Sequence, residues 1–279
     1  MDKKKKIQSR GRNKRKNKTG TDRRKGSKRK GKGISLKKRI IFVFMFILLL
    51  TGFLVARELF FYVNESERMH DGNYTVKGID VSSYQKDVDW EGLEREGIAF
   101  AFIKATEGSS HVDSRFAENW KNVGRTSIKS GAYHFMSYDT SGSTQAENFI
   151  KTVDRKWGML PPAVDVEFYG KYLKKHPSAE KLYNVLDPLL EELEHKYGYK
   201  PVIYTNTYIY STYISGRYDG YPVWISDPDI NSNLLDGRNW VFCQYTFYGK
   251  SKYVAGGEKY VDMNYFNGSR WDLRKYDWK

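Results

Sequence analysis

From residue 77 onward, short apolar runs alternate with longer stretches whose apolar positions recur every three or four residues. The first kind predicts strands and the second amphipathic helices. Lys77–Ser82 reads as a first strand, and Trp90–Gly97 as a short helix with Asp89 placed to cap it. Ile98–Lys104 is apolar almost throughout, the pattern of a strand covered on both faces. A helix over Arg115–Thr126, a strand over Ser130–Met136, a helix over Thr144–Trp157 and a strand over Ala163–Phe168 follow. The clearest helix runs from the cap Ser178 to Tyr197, with one stripe of Leu182, Val185, Leu186, Leu189, Leu190 and Leu193, and Gly198 ends it. Pro201–Asn206, Pro222–Ser226 and Trp240–Thr246 are further strands, and Lys259–Asn264 supplies an eighth. Alternation of buried strands with helices predicts an α/β fold with a parallel sheet and helices outside it. Eight strands in one domain of this size favour a closed TIM-like (β/α) barrel over an open sheet. There is no internal repeat and no glycine-rich nucleotide loop after the first strand.

Charge divides the chain before this domain begins. Residues 1–39 carry 20 Lys/Arg against Asp2 and Asp22, a net of +18, so the remaining residues of this +15 chain carry −3. The tail has almost nothing apolar to bury and is expected to be disordered. Residues 40–56 contain no charge; seventeen residues rise about 26 Å as a helix, enough for the short end of the bilayer range. Lys37, Lys38 and Arg39 abut this run, and far fewer cations follow it. That asymmetry predicts a single transmembrane helix with a cytoplasmic N-terminus and an extracellular C-terminal domain. No small-x-small cleavage site follows the run, so a signal peptide is the poorer reading. Residues 57–76 read as a stalk and 77–279 as the folded domain. The basic tail is expected to contact anionic membrane lipids, with no nucleic-acid role.

Cys243 is the sole cysteine, so no intrachain disulfide holds the domain and its core must do so. The five histidines are scattered, without metal-ligand spacing, and no cofactor is expected. Candidate chemistry lies at the strand ends: Asp80, Lys104 and Glu107, Tyr133 and His134, Asp165 and Glu167, Tyr204, Trp224, Gln244 and Tyr245, and Asp262. In a parallel barrel these ends converge on one face. Asp165 and Glu167 stand two apart in an apolar segment, so both point the same way from a strand. Like charges that close cannot both ionise cheaply, and one protonated carboxyl beside an ionised one suits glycosidic cleavage. His134, between Tyr133 and Phe135, reads as a core histidine, and Lys104 with Glu107 as a structural pair.

Seven short motifs in order resemble the family 25 glycoside hydrolases, the lysozymes typified by the Chalaropsis muramidase. They are Lys77–Ser82, Phe102–Gly108, Gly131–Phe135, Asp165–Glu167, Trp224–Ile225, Gln244–Thr246 and Val261–Asn264, and they span nearly the whole outer domain. The resemblance implies a distorted barrel with fewer than eight helices. It implies hydrolysis of the β-1,4 bond from N-acetylmuramic acid to N-acetylglucosamine in peptidoglycan. It assigns Glu167 as general acid, Asp165 as its partner, Asp80 and Asp262 as flanking acids, and Tyr133, Trp224 and Tyr245 as rings of the substrate groove. The i, i+2 spacing of Asp165 and Glu167 is tight for an inverting pair. A substrate-assisted route is therefore expected, in which the 2-acetamido oxygen attacks and Asp165 orients it; the competitor is inversion with Asp80 or Asp262 activating water. Tethering suggests local wall remodelling, or opening a gap for wall-spanning machinery. Alternatives are an inactive wall-binding scaffold and a glycosidase for another N-acetyl sugar polymer. Cys243 stands where the family commonly has Trp and is expected to alter the pocket floor. Phe247–Gly257 is expected to loop over the cleft.

Overall fold

The computed structural model describes residues 37, 44–57, 74–231, 233–257 and 260–276. Two compact units divide at Glu58. In the first, residues 44–57 are helical with every side chain exposed, and residues 40–43 of the expected span lie outside the described residues. Among the described residues no helix is long and apolar enough to cross a membrane. The basic tail, Lys37 apart, and most of the stalk likewise lie outside the described residues.

The second unit is the barrel. Its strands are β1 (Val76–Val81), β2 (Phe100–Glu107), β3 (His111–Val112), β4 (Lys129–Phe135), β5 (Ala163–Asp165), β6 (Val202–Asn206), β7 (Val223–Ser226), β8 (Phe242–Gly249) and β9 (Val261–Phe266). The sheet closes because β1 pairs with both β2 and β9, giving an eight-stranded ring with β3 as a short hairpin on β2. Seven ring strands are parallel, as expected, but β9 runs antiparallel to β8 and β1. The chain turns straight back from β8 into β9 with no crossover helix, and a direct hairpin can only be antiparallel.

Helices Trp90–Glu96, Phe116–Val123, Gly142–Thr152 and Ala179–Tyr197 pack outside the ring, and Arg270–Lys275 follows β9. Asp89, Ser141 and Ser178 cap three of them, each accepting a backbone N–H. The third begins and ends earlier than its periodicity suggests, with Val153 extended at its end and Gly158 at a φ of +75°. Its start is fixed by close approach: a Cβ on Gly142 would lie 2.0 Å from the carbonyl oxygen of Val185.

Period-two alternation sorts the core into two layers. Outward residues such as Ala101, Ile103, Val164 and Ile203 meet the helices, where the leucine stripe of Ala179–Tyr197 is buried. Inward residues form an aromatic plug of Phe100, Phe102, Trp224, Phe242 and Phe266. Phe102 stacks on Trp224 at 4.5 Å and meets Phe242 edge-on at 5.1 Å. These rings fit because the facing inward positions are glycine. A Cβ on Gly78 would lie 2.4 Å from the Phe100 ring, and one on Gly131 would lie 2.5 Å from Phe102. Phe102 is fully buried between other rings and has nowhere to retreat. Gly131→Ala is therefore expected to destabilise the barrel by roughly 1–3 kcal/mol, read by denaturant unfolding; an unchanged midpoint would show that the plug tolerates repacking.

Candidate active site

Above the aromatic plug, the C-terminal ends of the parallel strands open into a cleft of about 290 Å³. Its wall includes Asp80, Lys104, Tyr133, Asp165, Glu167, Tyr204, Trp224, Gln244 and Asp262. Each inward position follows from the strand period: Gly78 then Asp80, Phe102 then Lys104, Gly131 then Tyr133, Ala163 then Asp165. Glu167 continues that series two residues past the end of β5, where the Val166 N–H still donates to the Tyr204 carbonyl at 2.9 Å. All four sequence-predicted acids thus reach one cleft.

A buried polar network fixes Asp80. Its Oδ2 accepts from Gln244 Nε2 at 2.9 Å and from Asn264 Nδ2 at 2.8 Å. Both amides are held in that orientation from behind, because Tyr204 Oη donates to Gln244 Oε1 and Trp224 Nε1 donates to Asn264 Oδ1, each at 2.7 Å. Indole nitrogen can only donate, so the amide NH₂ of Asn264 must face Asp80. Asp262 lies directly across the β1–β9 ladder from Asp80 and hydrogen-bonds to it, which requires a proton between the two carboxyls. Burial raises the Asp80 pKa, while the bonds from Asn264, Gln244 and Asp262 act against that rise.

Asp165 and Glu167 differ. Asp165 is buried, and its pKa is raised well above the usual carboxylate range by burial first and by the neighbouring Glu167 second. Its Oδ1 accepts no hydrogen bond from the described residues. Glu167 is only half-buried, and burial followed by the charge of Asp80 moves its pKa up to about 6. A carboxyl that keeps its proton to near neutrality beside the cleft can act as a general acid. A buried acceptor oxygen with no protein donor can take an N–H from a bound ligand.

The rings divide. Tyr133 lines the cleft, and burial beside Asp80 and Asp165 keeps it a neutral phenol. Trp224 forms the floor, almost fully buried and anchored through Asn264. Tyr245 is placed elsewhere: it is buried in the outer layer, stacked on Tyr265 at 4.3 Å, and is not among the cleft residues. Its neighbour Gln244 takes the inward position, because Phe242 points inward and the strand alternates. The same alternation turns Cys243 outward, where its Sγ lies 3.5 Å from the Asp227 carbonyl oxygen and burial pushes the thiol pKa up. The pocket floor is Trp224, with Phe242 in the plug beneath, and the outward-facing cysteine is not among the cleft residues, so it does not reshape the floor.

Gln244, Asn264 and Tyr204 carry more of the geometry than their motifs suggested, and shared parity with Phe242, Phe266 and Val202 was the available signal. Tyr84 and Phe247 also line the opening. Phe247 belongs to β8, and the loop beyond it docks beside the cleft, where the Asp89 N–H donates to the Tyr253 carbonyl and Val88 bridges Val254. Lys104 and Glu107 form an ion pair at 2.7 Å. His134 is a core residue: Thr106 Oγ1 and Gln145 Oε1 flank its two nitrogens at 2.7 and 2.9 Å. The Gln145 amide donates to the Ser137 and Thr140 carbonyls, so its oxygen must accept the proton on His134 Nε2. Burial lowers the His134 pKa to about 4 and keeps the ring neutral.

The signs of these shifts set the pH response. Glu167, raised from 4.5 to about 6, contributes stability that is fully present below 4.5 and lost as pH rises through 6. His134, lowered from 6.5 to about 4, contributes stability present above 6.5 and lost as pH falls through 4. Carbon-13 NMR of the Glu167 carboxyl is expected to give a midpoint near 6, moving down in Asp80→Asn as the adjacent negative charge is removed. An unmoved midpoint would leave burial as the sole cause.

Similarity to known proteins agrees with this geometry. Residues 79–254 match the family described as glycosyl hydrolases family 25. A solved family 25 glycosyl hydrolase from Bacillus anthracis superposes with a TM-score of 0.71 at 43% identity, covering 75% of this chain and 96% of that one. The uncharacterized protein YegX of Escherichia coli K12 is 36% identical over 73% of this chain and 74% of its own length. Lysozyme M1 of Streptomyces globisporus is 29% identical over 70% of this chain and 68% of its own. A parallel barrel closed by one reversed strand, with its acids at one mouth, therefore has its place among known enzymes: the chain belongs to glycosyl hydrolases family 25 and is a glycoside hydrolase.

Proposed function

We propose that the barrel is a muramidase that cleaves the β-1,4 bond from N-acetylmuramic acid to N-acetylglucosamine in peptidoglycan. The observation that carries this reading is the pairing of Glu167, proton-bearing to near neutrality, with the bare buried oxygen of Asp165 in one cleft. Glu167 protonates the leaving glycosidic oxygen. Asp165 receives the acetamido N–H and orients the 2-acetamido oxygen for attack on the anomeric carbon, so that departure of the leaving group forms a cyclic intermediate. Water then opens that intermediate, with Glu167 as base. Asp80 and Asp262 flank the reacting sugar, and Tyr133 faces it across the cleft. The similarity to Lysozyme M1 of Streptomyces globisporus supports the substrate class.

Digestion of purified peptidoglycan by residues 58–279 is expected to expose new N-acetylmuramic acid reducing ends by mass spectrometry. Glu167→Gln is expected to lower the rate about 10²–10⁴-fold. No cleavage by the folded domain would favour a wall-binding scaffold. Proton NMR of the first product is expected to show retention at the anomeric carbon; inversion would assign water activation to Asp80 or Asp262 instead.

We further propose that residues 40–56 anchor the chain in the membrane with the barrel outside. The uncharged run and the cations that precede it support this reading. An anchored enzyme acts within stalk reach of the membrane, which suits local wall remodelling. The full chain is expected in the membrane pellet after carbonate washing, and its release would overturn the anchor.

A further inference from the structure

The barrel has a second end, opposite the cleft, where the parallel strands begin. Lys129 opens β4, Gly97 and Ile98 precede β2, and the helix Arg270–Lys275 crosses beneath the ring after the reversed β9. Leu273 of that helix is buried against the aromatic plug, while Trp271, two residues earlier, is 60% exposed. Lys129 Nζ donates to the Arg274 carbonyl at 3.1 Å, and Arg270 donates to the Gly97 carbonyl at 2.8 Å. Lys129, Arg270 and Arg274 surround a hollow of about 110 Å³ with Ser127 and Glu94. Trp157, in the turn before β5, is 91% exposed. Cations at this end have one ordinary explanation: Lys121, Lys151 and Lys196 sit in the last turns of outer helices and complement their dipoles. That explanation does not reach the basic hollow or the two outward-facing tryptophans. Nor does overall charge, since residues 40–279 carry −3 and the acids of the cleft gather at the other end.

From this arrangement we infer that the strand-entry end of the barrel is a docking surface for an anionic phospholipid membrane, with a lipid phosphate held in the Lys129–Arg270–Arg274 hollow and Trp157 and Trp271 at the interface. Tryptophan favours the headgroup level, where its ring meets apolar chains and its N–H meets water, and basic side chains there gain from anionic lipid. Chain direction fits: Tyr74, the first described residue of the barrel unit, enters at this end, and seventeen residues separate it from the apolar run ending at residue 56. Fully extended, that segment spans at most about 60 Å. This inference rests on the proposed anchor; docking then turns the cleft away from the bilayer and toward the wall.

Residues 74–279 suffice for the test, because the barrel is a separate compact unit and the Bacillus anthracis structure consists almost entirely of the same domain. Without the anchor and basic tail, this domain is expected to co-sediment with vesicles of 30% phosphatidylglycerol in phosphatidylcholine, with a blue shift of tryptophan emission, and not with phosphatidylcholine alone. Raising the salt to 1 M is expected to release it. Arg274→Glu with Trp157→Ser, both on exposed side chains, is expected to weaken partitioning by about tenfold or more. Circular dichroism and hydrolysis of soluble glycan fragments are expected to stay unchanged in that variant. Equal partitioning by the variant, indifference to lipid charge, or retention on a soluble polyphosphate without vesicle binding would each overturn the inference. Loss of the full chain from the carbonate-washed pellet would instead overturn the anchor, whatever the domain does with vesicles.

Discussion

The antiparallel strand β9 is the constraint on which the barrel and its chemistry both depend. A parallel sheet that stopped at β8 would leave β1 and β8 as open edges with rows of unpaired backbone groups. β9 pairs with both and closes the ring. Because it does so with Asp262 opposite Asp80, the same pairing brings a second carboxyl to the cleft and lets Asn264 reach Asp80 and Trp224. Closure and the polar floor are therefore one structural event.

That floor explains how several acids share a small volume. Burial and mutual repulsion favour protonation, and every hydrogen bond to a carboxylate opposes it. Around Asp80 the opposition is organised, with two amides aimed by donors behind them. Around Asp165 it is missing, so burial dominates. Asp80 and Asp165 thus differ in proton affinity because their partners differ. The arrangement sits on a base of buried rings, and the neutral His134 ties β4 to the helix Gly142–Thr152.

Much of this was legible in the amino-acid sequence because period and burial coincide in the strands. Ile98–Lys104 reads as apolar on both faces and is buried on both, between the helices and the plug. Asp165 and Glu167 read as pointing one way, and both line the cleft. The failures have physical causes as well. Direction is invisible to periodicity, so β9 was read as one more parallel strand. The helix Gly142–Thr152 begins where a tertiary contact at Val185 demands glycine, which no local pattern records. Tyr245 looked like a groove residue because aromatic rings suit sugars, yet its parity places Gln244 inside. Cys243 was judged by its size and not by the side of the strand it occupies.

The reversal of β9 also decides where the ends of the domain lie. Eight parallel strands would finish at the mouth of the cleft. With the last strand turned back, Tyr74 and Tyr276 both lie at the far end, Tyr74 packing on Trp240 at 4.8 Å and Tyr276 on Phe242 at 5.9 Å. The barrel is thereby a cartridge that can be joined at either terminus, or circularly permuted through a short linker, without anything being threaded past the substrate groove.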